Sequence, residues 1–78
     1  MGRGETIKRP ERLVLGRNVR RLRNKKKWSQ ERLGAEASGL RQAAVSEIET
    51  GDANPTLDTL EHLAAALGVR VVDLFRRR

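Results

Sequence analysis

Apolar residues recur along this chain at helical spacing, and nowhere do they alternate as a half-buried strand requires. Leu15, Val19 and Leu22 fall on one face of a first segment, from about Arg12 to Lys26, with Arg17, Arg20, Arg21 and Arg23 around them. Leu33 and Ala37 share a face of a second segment. Val45 and Ile48 mark the buried side of a third, from about Gln42 to Thr50. That register turns Gln42, Ala43, Ser46, Glu47 and Thr50 away from the core. Leu57, Leu60, Leu63, Ala64 and Leu67 give a fourth segment its wide apolar stripe, and Val71 to Phe75 suit a short fifth. The pattern predicts an all-α fold, a compact five-helix domain.

The residues between these stripes punctuate them. Ser29 is an N-cap for the second helix, with Gln30 and Glu31 in its first turn. Gly39 is expected to end that helix and Gly51 the third. Asp52-Ala53-Asn54-Pro55 forms a turn, and Thr56 caps the fourth helix, which Gly68 stops. Pro10 reads as a breaker behind a Gly- and charge-rich stretch. The expected organisation is a flexible basic arm over residues 1–11, a helical domain over 12–75 and a basic tail over 76–78. Two short amphipathic segments flank the turn at Gly39-Leu40. This is the layout of a helix-turn-helix, whose second helix enters the DNA major groove.

Size and charge narrow the function. With 78 residues there is room for one domain. Cysteine is absent, so there is neither a disulfide nor a thiolate metal site. No apolar run approaches the roughly 20 residues of a membrane span, and no secretory signal is visible, so the cytoplasm is the expected location. Of the formal +7, residues 1–28 carry a net +9 and residues 29–75 a net −5; Arg76, Arg77 and Arg78 add +3. Basic charge therefore gathers on the first helix and at both ends. Such runs are solvated tails in many proteins. Beside a helix-turn-helix they form an electrostatic footprint for nucleic acid.

The elements Val19-Arg20-Arg21-Leu22-Arg23, Ser29-Gln30-x-x-Leu33, Gly39-Leu40 and Val45-Ser46-x-Ile48-Glu49-x-Gly51 occur in order, followed by Asn54-Pro55-Thr56-Leu57, Leu63-Ala64-x-Ala66-Leu67-Gly68-Val69 and Leu74-Phe75. From about residue 15 to 75 the chain resembles the Cro/repressor-type, or Xre-like, helix-turn-helix family. The resemblance implies a repressor-type five-helix domain that binds double-stranded DNA. Two departures stand out. Five residues, Gly34 to Ser38, separate Leu33 from Gly39 where the family usually has four, and Gly34 replaces its usual alanine. Val72 stands where the family usually carries a polar residue.

The resemblance assigns Arg41, Gln42, Ser46 and Glu47 to base contacts at and along the recognition helix. The chemistry fits: Arg pairs with guanine O6 and N7, Gln with adenine N6 and N7, and Glu accepts from cytosine N4. Ala43 either meets a thymine methyl or leaves space. Gln30 matches a phosphate contact of the family. Thr50 and Asn54 stand where they would reach phosphate on the other side, or simply shape the turn. Arg21 and Glu49 match a family pair tying the first helix to the third and holding arginine near phosphate; the bland alternative is a surface pair worth roughly 0–1 kcal/mol.

Trp28 reads as a core filler, since one Trp and one Phe are too few for single-strand binding by stacking. No nucleophile, base and acid combine into a catalytic set, so no enzyme is expected. His62 is alone, and neither metal nor cofactor is implied. The expected partners are duplex DNA and a second copy of the chain, meeting through Val72 and Phe75, with Arg76 to Arg78 splayed from the axis. A toxin or RNA polymerase is a further candidate partner. The rival reading, from another class, is an antitoxin-type interaction module that holds a toxin and regulates its own operon.

Overall fold

The first helix opens earlier than its apolar stripe suggests. The computed structural model describes residues 7–77, and α1 spans Arg9–Lys25. Pro10 sits in its first turn, where the N–H that proline lacks would have no helical partner anyway. Pro10 therefore starts the helix instead of breaking the chain, and Arg9 to Glu11 belong to the domain rather than to an arm. Ile7 is tied down as well: its N–H donates to Asn54 Oδ1 at 2.9 Å. The rest of the expected arm, residues 1–6, and Arg78 of the expected tail lie outside the described residues.

Next come α2 (Gln30–Glu36), α3 (Gln42–Thr50), α4 (Leu57–Leu67) and a 3-10 helix, Val71–Phe75. The domain is all-α, with the fifth element wound more tightly than the stripe implied. Both anticipated caps form. Ser29 Oγ accepts from the Arg32 N–H at 2.9 Å, and Thr56 Oγ1 from the Thr59 N–H at 3.2 Å. Every element sends at least one enclosed side chain into a single core: Leu15 and Val19, Leu33, Val45, Leu63 and Leu74.

The turn between α2 and α3 departs most from expectation. α2 stops at Glu36, and the chain leaves through two consecutive left-handed residues, Ser38 (φ 65°) and Gly39 (φ 80°). The surplus residue before Gly39 is taken up here, outside α3. The Leu40 N–H closes the turn on the Gly34 carbonyl at 2.8 Å. That closure explains Gly34, because a Cβ there would overlap the Leu40 carbonyl oxygen. Alanine is the better helix former by about 1 kcal/mol, yet Gly34→Ala is expected to destabilise the domain. Overpacking against backbone costs about 1–3 kcal/mol. Urea denaturation checks this, and a stabilised variant would show that the turn relaxes.

The C-terminus is also more tightly held than a tail. The buried Asn18 amide donates to the carbonyls of Leu74 at 2.9 Å and Arg76 at 2.8 Å. Arg76 pairs with Asp73 and Arg77 with Glu11, each at 2.8 Å. Arg76 and Arg77 are thus held within the domain by Asn18, Asp73 and Glu11.

Candidate nucleic-acid interface

The placement of α3 begins with Gly16. A Cβ there would lie 2.6 Å from the Ile48 carbonyl oxygen, so only glycine lets α1 rest on the backbone of α3. One and two turns further along the same flank come Arg20 and Arg23. Both reach Glu49, whose side chain is fully buried. Arg23 donates Nε to Oε2 at 2.6 Å and Nη2 to Oε1 at 3.0 Å. Arg20 Nε reaches Oε1 at 3.2 Å.

A third donor carries the network onward. Gln30 Nε2 donates to Glu49 Oε1 at 3.0 Å, and Gln30 Oε1 accepts from Gln42 Nε2 at 2.7 Å. The path Arg23–Glu49–Gln30–Gln42 joins α1, α2 and the first residue of α3. Burial pushes the Glu49 carboxyl up, but hydrogen bonds from Arg23, Gln30 and Arg20 pull it down further, so it ends below its ordinary value. The Glu49 bond raises Arg23 against the opposing effect of burial. Both groups therefore stay charged at neutral pH, and the carboxylate is saturated with donors.

The expected Arg21–Glu49 pair does not form. At about 100° per residue, 16, 20 and 23 line the α3 side of α1, whereas 21 falls with 14, 17 and 18 on the opposite flank. Arg21 instead lies 3.5 Å from Asn18 Oδ1. The signal for the true partners was the spacing Gly16-x3-Arg20-x2-Arg23, which puts two arginines in line with the residue that must be small.

Arg41, Gln42, Ala43 and Glu47 are exposed on α3 and the residue before it, and Ser46 is half-buried among them. Thr50, the last residue of α3, and Asn54, in the turn that follows, are exposed. Thr50 Oγ1 lies 3.0 Å from Asp52 Oδ2, and Asn54 holds Ile7, so both have structural work to do. Trp28 packs against the core as expected, and the Arg32 guanidinium sits 4.9 Å above its ring. Val72 is 57% exposed. Phe75, expected to face outward, is half-buried and packs partly on its own core.

Two short helices around a tight turn, with the second locked to α1 and presenting a polar face, define a helix-turn-helix DNA-binding domain. The helix-turn-helix (HTH_3) family model matches residues 19–74. The chain is 46% identical over 63 residues to the uncharacterized HTH-type transcriptional regulator y4dJ of Sinorhizobium fredii, covering 81% of this chain and 80% of that protein. It is 42% identical over 64 residues to the control protein C.BamHI of Bacillus amyloliquefaciens, covering 81% and 78%. The restriction-modification controller protein C.AhdI of Aeromonas hydrophila superposes with a TM-score of 0.79 at 33% identity, over 85% of this chain and 98% of that one. This chain belongs to the Xre-like helix-turn-helix family of DNA-binding transcriptional regulators. It is therefore not an enzyme. No helix among the described residues is long and apolar enough to cross a membrane.

Proposed function

We propose that this protein is a sequence-specific repressor or controller that binds an inverted-repeat operator as a homodimer in the cytoplasm. The observation that carries the reading is the hydrogen-bonded path from Arg23 to Gln42. It fixes a potential adenine-reading amide at the start of an exposed polar helix, so little side-chain freedom is lost on binding. The control-protein names of two relatives point the same way.

In this reading Arg41, Gln42, Ala43, Ser46 and Glu47 face base edges, while Gln30, Thr50 and Asn54 flank them toward the two phosphate strands. Arg20, about half-exposed beside Glu49, takes the phosphate-facing place first given to Arg21. In this reading repression comes from occupying a promoter.

Selection of sites from random duplex DNA tests the proposal; an inverted repeat should emerge. Arg41→Ala and Gln42→Ala should each cost about 1–3 kcal/mol on that site and relax preference at one base position. A uniform loss over all sequences would make them phosphate contacts. Equal affinity for all duplexes at physiological salt would leave a nonspecific binder. Failure to bind any duplex, together with a tightly co-purifying protein, would favour the antitoxin reading.

A further inference from the structure

The flank of α1 that carries Arg21 has a use of its own. Asn18 lies about 160° around the helix from Gly16, which abuts α3. This flank therefore points away from the network that holds the recognition helix. Here the C-terminal segment crosses α1, pinned by the two bonds from the Asn18 amide. Between them is an open cavity of about 270 Å³ lined by Val14, Arg17, Asn18, Arg21, Arg76 and Arg77. A second cleft of about 280 Å³ shares Arg21 and Arg76 and adds Lys25.

Charge balance around this seam is lopsided. Among the described residues four guanidinium groups and a lysine are answered by two carboxylates, Glu11 and Asp73. Glu11 already pairs with Arg77, and Asp73 with Arg76. Among the described residues no carboxylate pairs with Arg17 or Arg21. Bringing like charges together without counterions costs self-repulsion, which a bound anion would relieve. Guanidinium forks match phosphate oxygens two bonds at a time. The volume suits a diphosphate group better than a drug-sized ligand, whose pockets start at about 300 Å³.

We infer that the seam between α1 and the C-terminal segment is a binding site for vicinal phosphate groups, with Arg17 and Arg21 as its principal ligands. Arg76 and Arg77, held over α1 by Asn18, close the site from the other side. Free pyrophosphate and the diphosphate of a nucleotide both present such a pair; a DNA strand offers instead single phosphodiester charges spaced by a sugar.

Calorimetric titration with pyrophosphate and with ADP, at constant ionic strength set by chloride, is the test. Saturable binding of one pyrophosphate per chain is expected, weakened at least tenfold in Arg17→Gln/Arg21→Gln. Arg32→Gln, on α2, should bind as the unmodified protein does. Arg17 is exposed and Arg21 half-buried, and neither bridges to a carboxylate among the described residues, so thermal unfolding of the double variant should be near normal. Pyrophosphate binding that persists on the operator complex supports a small-molecule ligand. Displacement by a duplex without operator, in a manner lost with the double variant, supports the same site with a DNA backbone in it. Absence of saturable binding overturns the inference. So does binding indifferent to the double substitution, or equal binding of a hexaglutamate peptide.

Discussion

Replacing Glu49 by alanine should nearly unfold the protein at ordinary temperature. The side chain is fully buried and takes donors from Arg23, Arg20 and Gln30. Its removal leaves Arg23, only 12% exposed, without a counter-charge. Breaking a buried pair in this way costs about 3–5 kcal/mol. A domain of this size has roughly 4–12 kcal/mol in all. A fall in Tm of about 15 °C or more is expected by circular dichroism. A loss under about 1 kcal/mol would class the pair with exposed ones. Glu49→Gln separates charge from shape. Since the folded carboxyl lies below its ordinary value, the unfolded chain binds the proton more readily. Glu49 thus contributes full stability above about pH 4.3, lost as pH falls toward the folded value. Glu49→Gln should be less stable at pH 7 and should lose less on acidification. Asp73, also held low by the Arg70 N–H and by Arg76, titrates in the same acid range in both proteins and supplies the residual slope.

The same carboxylate shows what the sequence discloses and what it conceals. Val45, Ile48 and Gly51 fix the register of α3 without knowledge of any neighbour, because burial and a left-handed cap are local demands. The exposed polar row Gln42, Ala43, Glu47 follows directly. Glu49 was legible as the α3 end of a tie to α1, but its partner was not. That depends on where α1 touches α3, which Gly16 decides, and one residue of rotation exchanges Arg21 for Arg20 and Arg23. The early start of α1 was hidden for a similar reason. Pro10 suits a helix's first turn as well as a break, and the bonds from the Arg12 N–H to the Lys8 carbonyl and from the Arg12 side chain to the Gly51 carbonyl show which applies. At the C-terminus, three arginines look like a solvated tail until Asn18 is seen to hold the chain. Gly34 looked like a propensity defect until the Leu40 carbonyl was seen in the space of its missing Cβ.

Val72→Asp should convert the proposed dimer to monomers while scarcely affecting the fold. Val72 is 57% exposed, and substitutions at such positions usually stay within about 0.5 kcal/mol. In a 3-10 helix residues three apart eclipse, so the exposed part of Phe75 lies on the same side as Val72. A two-fold axis there would bring both pairs together and set two recognition helices in successive major grooves, roughly 34 Å apart. Burying each valine would supply up to about 1.5–3 kcal/mol. An aspartate would forfeit that and set like charges across the axis. The penalty on DNA is larger, because two linked half-sites gain about 10²–10⁴ in avidity over one. Operator affinity should fall by about 100-fold or more, while affinity for an isolated half-site stays near normal. Arg76 and Arg77, bound down along α1 by Asn18 and Glu11, do not occupy the axis as free charges. Sedimentation equilibrium and gel-shift titration of full and half operators give both readings. A Val72→Asp protein that still sediments as a dimer moves the interface elsewhere. If the unmodified chain is monomeric well above its operator Kd, pairing occurs on DNA or not at all.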